Sequence, residues 1–346
     1  VAISNAVLAT TLPLLIQKVL DNSFLATPLF RGLQDAGALK RKVGSQRIEQ
    51  PVMFGTSTNM TELTGSGFNS LDMSVQDPFN RGIYEWALFS KPLIISDQWA
   101  LANEGDEAIS NILENLVSNA LIDMRKLISR RVFRGDSPTS ASGTTLSTFN
   151  GMGTSTLAVD TTGWYQAAAF GSQTGNTVGG LSKTTYASFN WQNQYVDAGG
   201  TLSLDHIDEL MIQASLYHPG GRRPDIIFMS PKCFAAFQSL LTDDYRYQNV
   251  RDRDALAGAD YVATWRGARI YVEPTLGYNN AAGNAVSAFA ISSDTVSMYI
   301  DPNADFSVGE LAPYPGYAAR FANINLRAQI CTGHLASAGV LIRAEA

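Results

Sequence analysis

Between Asn103 and Arg134 one apolar stripe runs without interruption: Ile109, Ile112, Leu113, Leu116, Val117, Ala120, Leu121, Met124, Leu127 and Ile128 recur at i, i+3, i+4 and i+7. This spacing predicts a single helix. Asn103 stands at the N-cap position with Glu104, Asp106 and Glu107 in the first turn. Lys126, Arg130, Arg131 and Arg134 gather at the far end before Gly135, so both ends match the helix dipole. At about 1.5 Å per residue the segment spans roughly 45 Å, well beyond the three or four turns of an average helix. The stripe is read as core packing rather than as a cofactor-binding face, and the rest of the fold must be built along this strut.

Upstream the period changes to two. Ile48, Gln50, Val52 and Phe54 alternate with Arg47, Glu49 and Met53, and Tyr84, Trp86 and Leu88 alternate with Ile83, Glu85 and Ala87, which predicts the two legs of a long hairpin. Residues 55–82 between them are rich in Gly, Thr, Ser and Asn and are far longer than an ordinary hairpin turn. A two-stranded ribbon carrying aromatic residues, with no helix to cover it, does not easily bury its apolar face on its own domain; it is expected to use a neighbouring copy. Residues 1–44 read as an arm. Leu8, Leu12, Leu15, Ile16 and Val19 share a helical face interrupted by Pro13, and Lys40, Arg41 and Lys42 close the stretch as a solvated turn or a nucleic-acid contact. Val1 is not an initiator methionine, and Val1 to Leu20 lacks the basic start and cleavage site of a signal peptide, so an upstream segment is expected.

Downstream, residues 136–200 read as loops and short strands with isolated aromatics. The Arg134-Gly135-Asp136 tripeptide is taken as a helix end, not an adhesion motif. An α/β region follows: a helix over Leu204 to Tyr217, a buried strand at Asp225 to Met229, a helix over Pro231 to Leu241, and strands at Thr264 to Val272, Ala288 to Ile291 and Val296 to Ile300. Alternating segments from Ala319 to Ala344 close the chain.

The 346 residues suit one large or two intimately joined domains. Only 16% are charged, against about 25% in ordinary domains, and the net charge is −6. There is no global basic field of the kind sequence-reading nucleic-acid binders need. No apolar run approaches the roughly 18 to 20 residues that span a bilayer, so no membrane partner is expected. Cys233 and Cys331 lie far apart without a ligand partner nearby; they are read as buried thiols, with a disulfide as the alternative.

Catalytic signatures are missing. The sequence has no phosphate-binding Gly-rich loop, no dinucleotide fingerprint, no His-Glu-x-x-His and no Gly-x-Ser-x-Gly. His206, His218 and His334 offer no evident nucleophile partner. Asp205, Asp208 and Glu209, and the pair Asp243 and Asp244, are the carboxylates a glycosidase reading would use, although acids in a first helical turn are ordinarily there for the dipole. Arg246, Arg251 and Arg253 beside Asp252 and Asp254 form a mixed-charge loop suited to ion pairs between subunits, or a solvated loop.

An arm, a long ribbon, a very long helix, a Gly-rich β region, an inserted α/β unit and a return of long strands follow one another in that order. Within it stand Glu85-Trp86-Ala87-Leu88, Pro92-Leu93-Ile94-Ile95, Asn150-Gly151, Trp191-Gln192-Asn193-Gln194, Pro224-Asp225-Ile226-Ile227 leading to Ser230-Pro231, Trp265-Arg266-Gly267 and the run from Asn325 to Cys331. In this order the chain resembles the major capsid proteins of tailed bacteriophages with the Hong Kong 97-like fold, over essentially its whole length. The resemblance implies an α+β fold with an N-terminal arm (1–44), an extended E-loop (45–96), a P-domain (97–200) with its spine helix at 103–134, an inserted α/β A-domain (201–304) and a return to the P-domain (305–346).

It also implies a non-enzymatic subunit, without cofactor or metal, that assembles with itself as hexamers and pentamers. The icosahedral shell so formed, assembled in the bacterial cytoplasm, would enclose double-stranded DNA that it touches non-specifically, with scaffolding, portal and decoration proteins as further partners. Contacts between subunits are expected from the ribbon residues Arg47, Phe54, Phe68, Phe79, Tyr84 and Trp86 and from Arg246, Arg251 and Arg253. Residues 242–260 would lie at the capsomer centre. Some family members crosslink an E-loop lysine to a neighbour's asparagine; residues 45–90 contain no lysine and Lys91 lies at the loop's base, so that route is not expected here. An encapsulin-like compartment shell is the alternative in the same fold. A secreted carbohydrate-active enzyme is the alternative outside it.

Overall fold

The computed structural model describes residues 28–54, 79–97, 106–134, 164–165, 169–173, 177–244, 263–274, 276, 286–310 and 312–344. The elements in chain order are α1 (Pro28–Asp35), β1 (Leu39–Arg41), β2 (Arg47–Met53), β3 (Phe79–Glu85), β4 (Ala87–Ser96), α2 (Asp106–Arg134), β5 (Thr177–Val178), β6 (Leu181–Ser182) and β7 (Gln194–Asp197). Next come α3 (Leu204–Leu216), β8 (Ile226–Met229), α4 (Pro231–Asp244), β9 (Ala263–Trp265), β10 (Ala268–Val272), β11 (Val286–Ile291), β12 (Val296–Ile300), β13 (Ser307–Val308), β14 (Ala312–Pro313), β15 (Ala319–Thr332) and β16 (Gly339–Ile342).

The long stripe does form one helix. α2 runs 29 residues and buries Val117, Ala120, Leu121, Met124, Ile128 and Val132. Leu127, expected in the stripe, is 41% exposed, because at this point Ile128 faces the core instead. The proposed N-cap Asn103 and the arm helix over Leu8 to Val19 lie outside the described residues.

Among the described residues two six-stranded sheets organise the rest. In the first, β15 is the spine. β4 pairs along one edge from Ala319↔Ser96 to Ala328↔Ala87, and β14, β13 and β12 follow one another along the other. β1 adds to β12 in parallel, so Lys40 and Arg41 lie in a strand and not in the expected turn; Arg41 pairs with Asp305 at 3.2 Å. The second sheet has the order β7-β16-β11-β8-β10-β9. It draws β7 and β16 from outside 201–304, whereas β12, from inside that range, pairs in the first sheet.

The second sheet is buried on both faces, and the two-residue period divides its side chains between two cores. Ile226, Phe228, Tyr271, Phe289, Ile291, Val340 and Ile342 join the cluster containing α1, α2 and the first sheet. Ile227, Met229, Ile270, Ala288, Ala290 and Leu341 face α3 and α4, with Ile207, Leu210, Met211, Phe234 and Phe237. The end of α2 joins the layers, since Phe133 packs 5.0 Å from Phe228 and 5.6 Å from Phe289, ring centre to ring centre. Burying a side chain of that size contributes about 1.5–3 kcal/mol.

Two predicted strands are interrupted. Thr264 to Val272 is a hairpin rather than one strand. Arg266 and Gly267 both have positive φ, 48° and 91°, and make the two-residue turn whose twist suits paired strands. The stretch from Ile83 to Leu88 breaks at Trp86, and the alternation slips there: Tyr84 is buried, then Ala87 and Phe89, which leaves Leu88 67% exposed. Cys233 and Cys331 are buried free thiols.

Candidate assembly surface

β2 and β3 pair antiparallel from Arg47↔Glu85 to Met53↔Phe79, with no third strand beside them among the described residues. The expected ribbon is therefore present, but its apolar face finds more cover in its own chain than the sequence suggested. Ile48, Val52, Phe54 and Tyr84 are buried. Phe54 stacks on Tyr186 at 4.4 Å and meets Trp191 edge-on at 5.4 Å, and Asn80 Nδ2 donates to the Tyr186 hydroxyl. The Tyr84 hydroxyl donates to the Thr332 carbonyl at 2.8 Å, and burial holds it protonated far above the usual phenol range. Residues 177–191 supply much of the cover, with Trp164 beside Tyr84, which the reading of that region as loops and short strands with isolated aromatics did not anticipate.

The sequence-derived contact residues thus separate. Phe54 and Tyr84 are occupied within the chain. Trp86 is half-buried beneath the Arg327 guanidinium, 4.8 Å from its ring centre. Arg47 is exposed, in a 3.6 Å ion pair with Glu85, and Phe79 is 71% exposed at the distal end of the described ribbon. Phe68, Arg246, Arg251 and Arg253 lie outside the described residues.

Other exposed apolar side chains extend this surface. Met53, opposite Phe79, is 67% exposed, and its place in the alternation with Arg47 and Glu49 was the available signal. On the outer face of β4, Leu88 and Ile94 are exposed. Ile94 lies opposite Phe321, over which Tyr314 packs edge-on at 5.6 Å, with the exposed Tyr317 against Tyr314. Lys91 reaches the spine helix and pairs with Asp123 at 3.3 Å.

Behind the ribbon lies a polar knot. Lys183 is fully buried; its ammonium donates to Gln173 Oε1 at 3.1 Å and to Asn193 Oδ1 at 3.0 Å. Gln173 Nε2 donates to the Asn193 carbonyl, and Gln192 Nε2 to the Gln173 carbonyl. No carboxylate takes part in these bonds, and burial pushes the ammonium down to about 7.

Several described groups with chemical potential make structural contacts, while the side chains of Asp243 and Asp244 lie outside the described residues. Ser203 and His206 cap α3 reciprocally. Asp208 accepts from Trp265 Nε1 at 2.9 Å and from Arg266, tying α3 to the β9–β10 turn, and Glu209 accepts from Gln213. His218 bonds Asp294, and burial, with the nearby His218, pushes His334 down to about 4. Among the described residues no group of three or more His, Cys, Asp or Glu could hold a metal.

No family model matches the sequence, and no curated protein does. Solved structures do. The chain is similar to the capsid subunit in "Cyanophage A-1(L) capsid asymmetric unit", with TM-score 0.59 and 12% identity over 92% of this chain and 93% of that one. It is similar to the subunit in "Capsid of empty GTA particle", with TM-score 0.54 and 15% identity over 90% of each chain. The holo-SrpI encapsulin complex from Synechococcus elongatus PCC 7942 matches at TM-score 0.50 and 14% identity, over 90% of this chain and 88% of that one. Over about nine-tenths of its length the chain therefore has the mixed α+β, Hong Kong 97-like fold of these capsid structures.

Proposed function

We propose that this chain is a major capsid protein, a structural subunit that assembles with copies of itself, as hexamers and pentamers, into an icosahedral shell around packaged double-stranded DNA. The observation that carries the reading is likeness to capsid subunits across about nine-tenths of both chains. The ribbon, exposed at Met53 and Phe79, supports it. In this reading residues 1–44 are the arm, 45–96 the E-loop, 97–200 the P-domain, 201–304 the A-domain and 305–346 the return. Arg47, Phe79 and the exposed part of Trp86 meet neighbouring copies, as do Phe68, Arg246, Arg251 and Arg253. The shell forms in the bacterial cytoplasm, needs no catalysis, touches DNA non-specifically, and works with scaffolding, portal and decoration proteins.

The encapsulin likeness favours one second reading, a compartment shell around a protein cargo. Electron microscopy of particles from the source cells, with nucleic-acid and protein analysis of their contents, separates the two. Closed shells with nuclease-resistant double-stranded DNA support the capsid. Closed shells holding one enclosed protein and no DNA support the compartment, and a chain found only as a monomer contradicts both.

A further inference from the structure

The ribbon leaves the body at one residue. β4 follows β15 pair by pair as far as Ala328↔Ala87, and at Trp86 the ladder ends. Beyond it, among the described residues, the ribbon is tied to the body by one backbone bond, from the Ile83 N–H to the Gly179 carbonyl at 2.8 Å, and by side-chain bonds. Gln329 Nε2 donates to the Glu85 carbonyl, and the Tyr84 hydroxyl donates to the Thr332 carbonyl.

Arg327 sits at this exit. Its Nη1 donates to Asp301 Oδ2 at 2.9 Å, its Nη2 donates to the Ser45 carbonyl at 3.1 Å, and its guanidinium lies over the Trp86 ring. Ser45 stands two residues before β2 and Trp86 one residue after β3, so a single planar cation touches both legs of the ribbon at the root. Asp301, with only 6% of its side chain exposed, fixes that cation to the body. A lysine could keep the charge pairing but not a planar fork that bonds in two directions while stacking on an indole.

We infer that Arg327 is a positioning residue: held by Asp301, it latches the root of the β2–β3 ribbon at Ser45 and Trp86 and, together with the packing of the ribbon's inner face on residues 177–191, sets the direction in which the ribbon leaves the body. The latch stands on this geometry alone. Its consequence for assembly rests on the shell reading, in which neighbouring copies meet through the ribbon and a swinging ribbon assembles poorly.

Spin labels at Met53→Cys and Ser90→Cys report ribbon against body. Cys233 and Cys331 are buried, so the chain without added cysteines is the labelling control. The doubly labelled full chain, diluted into unlabelled chain, is measured by pulsed electron resonance whether or not particles form. Arg327→Lys should broaden the distance distribution by about twofold or more with little change in melting temperature, since the charge pair survives. Trp86→Leu, which leaves the ion pair in place, should broaden it as well. Distributions as narrow as the parent's in both variants overturn the latch, as does a lower melting temperature without broadening. Failure of the parent chain to form shells counts against the capsid reading, and the distance measurement still decides the latch.

Discussion

The second sheet and the ribbon face the same requirement, that a strand's apolar side chains be removed from water, and they meet it to different degrees. Every residue of β8, β11 and β16 is buried, because α1 and α2 cover one face of the sheet while α3 and α4 cover the other. β2 and β3 bury alternate residues only, on the face against residues 177–191, and leave Met53 and Phe79 in solvent. The sheet is complete within one chain. The ribbon is finished on its inner face and leaves Met53 and Phe79 in solvent on its outer face, which is the arrangement a subunit needs if it folds first and assembles afterwards.

The comparison breaks most visibly if a core aromatic of the second sheet can be removed cheaply. Phe228→Ala strips a ring shared by Phe133 and Tyr271 and should cost about 3–5 kcal/mol in denaturant unfolding. Next comes Gly339→Ala. A Cβ there would sit 2.5 Å from Leu210 Cδ1 and 3.1 Å from Gln194 Cβ, so β16 must shift between α3 and β7, for about 1–3 kcal/mol by the same measurement.

Lys183 sharpens the comparison through pH. Its ammonium is depressed from 10.5 to about 7 by burial, so between those values the unfolded chain binds more protons than the folded one. Stability from this group therefore rises as pH rises through that window and is flat below it. Lys183→Met should show a smaller increase in melting temperature between pH 7 and pH 10 than the parent; equal slopes would remove the lysine from the account. The smallest effect belongs to the exposed face of the ribbon. Met53→Ser with Phe79→Ser should change unfolding free energy by no more than about 0.5 kcal/mol, as exposed positions do. Light scattering should nonetheless show a loss of large particles.

Local periodicity made α2 and the two legs of the ribbon legible, because each pattern is set by neighbours within a few residues. The order of elements, together with short strings such as Trp191 to Gln194, made the fold legible. What stayed hidden depends on distant partners. Nothing near Trp86 announces that β4 will pair with β15, more than 200 residues later, and that pairing is what shifts the alternation and turns Leu88 outward. The Arg266-Gly267 turn was readable in principle, but a strongly apolar stretch on both sides disguised two strands as one. Arg327 and Lys183 look like ordinary surface cations in sequence; only the folded chain brings Asp301 and Ser45 to one and three amide side chains around the other.

Hydrogen exchange of the unassembled chain against its particles tests the central claim most directly. Assembly should add protection at 79–85 and at 88–94, in the ribbon and the outer strand, and leave 226–229 and 286–291 unchanged because those amides are already buried in a finished sheet. Protection gained in the second sheet while the ribbon exchanges as freely as before would contradict it.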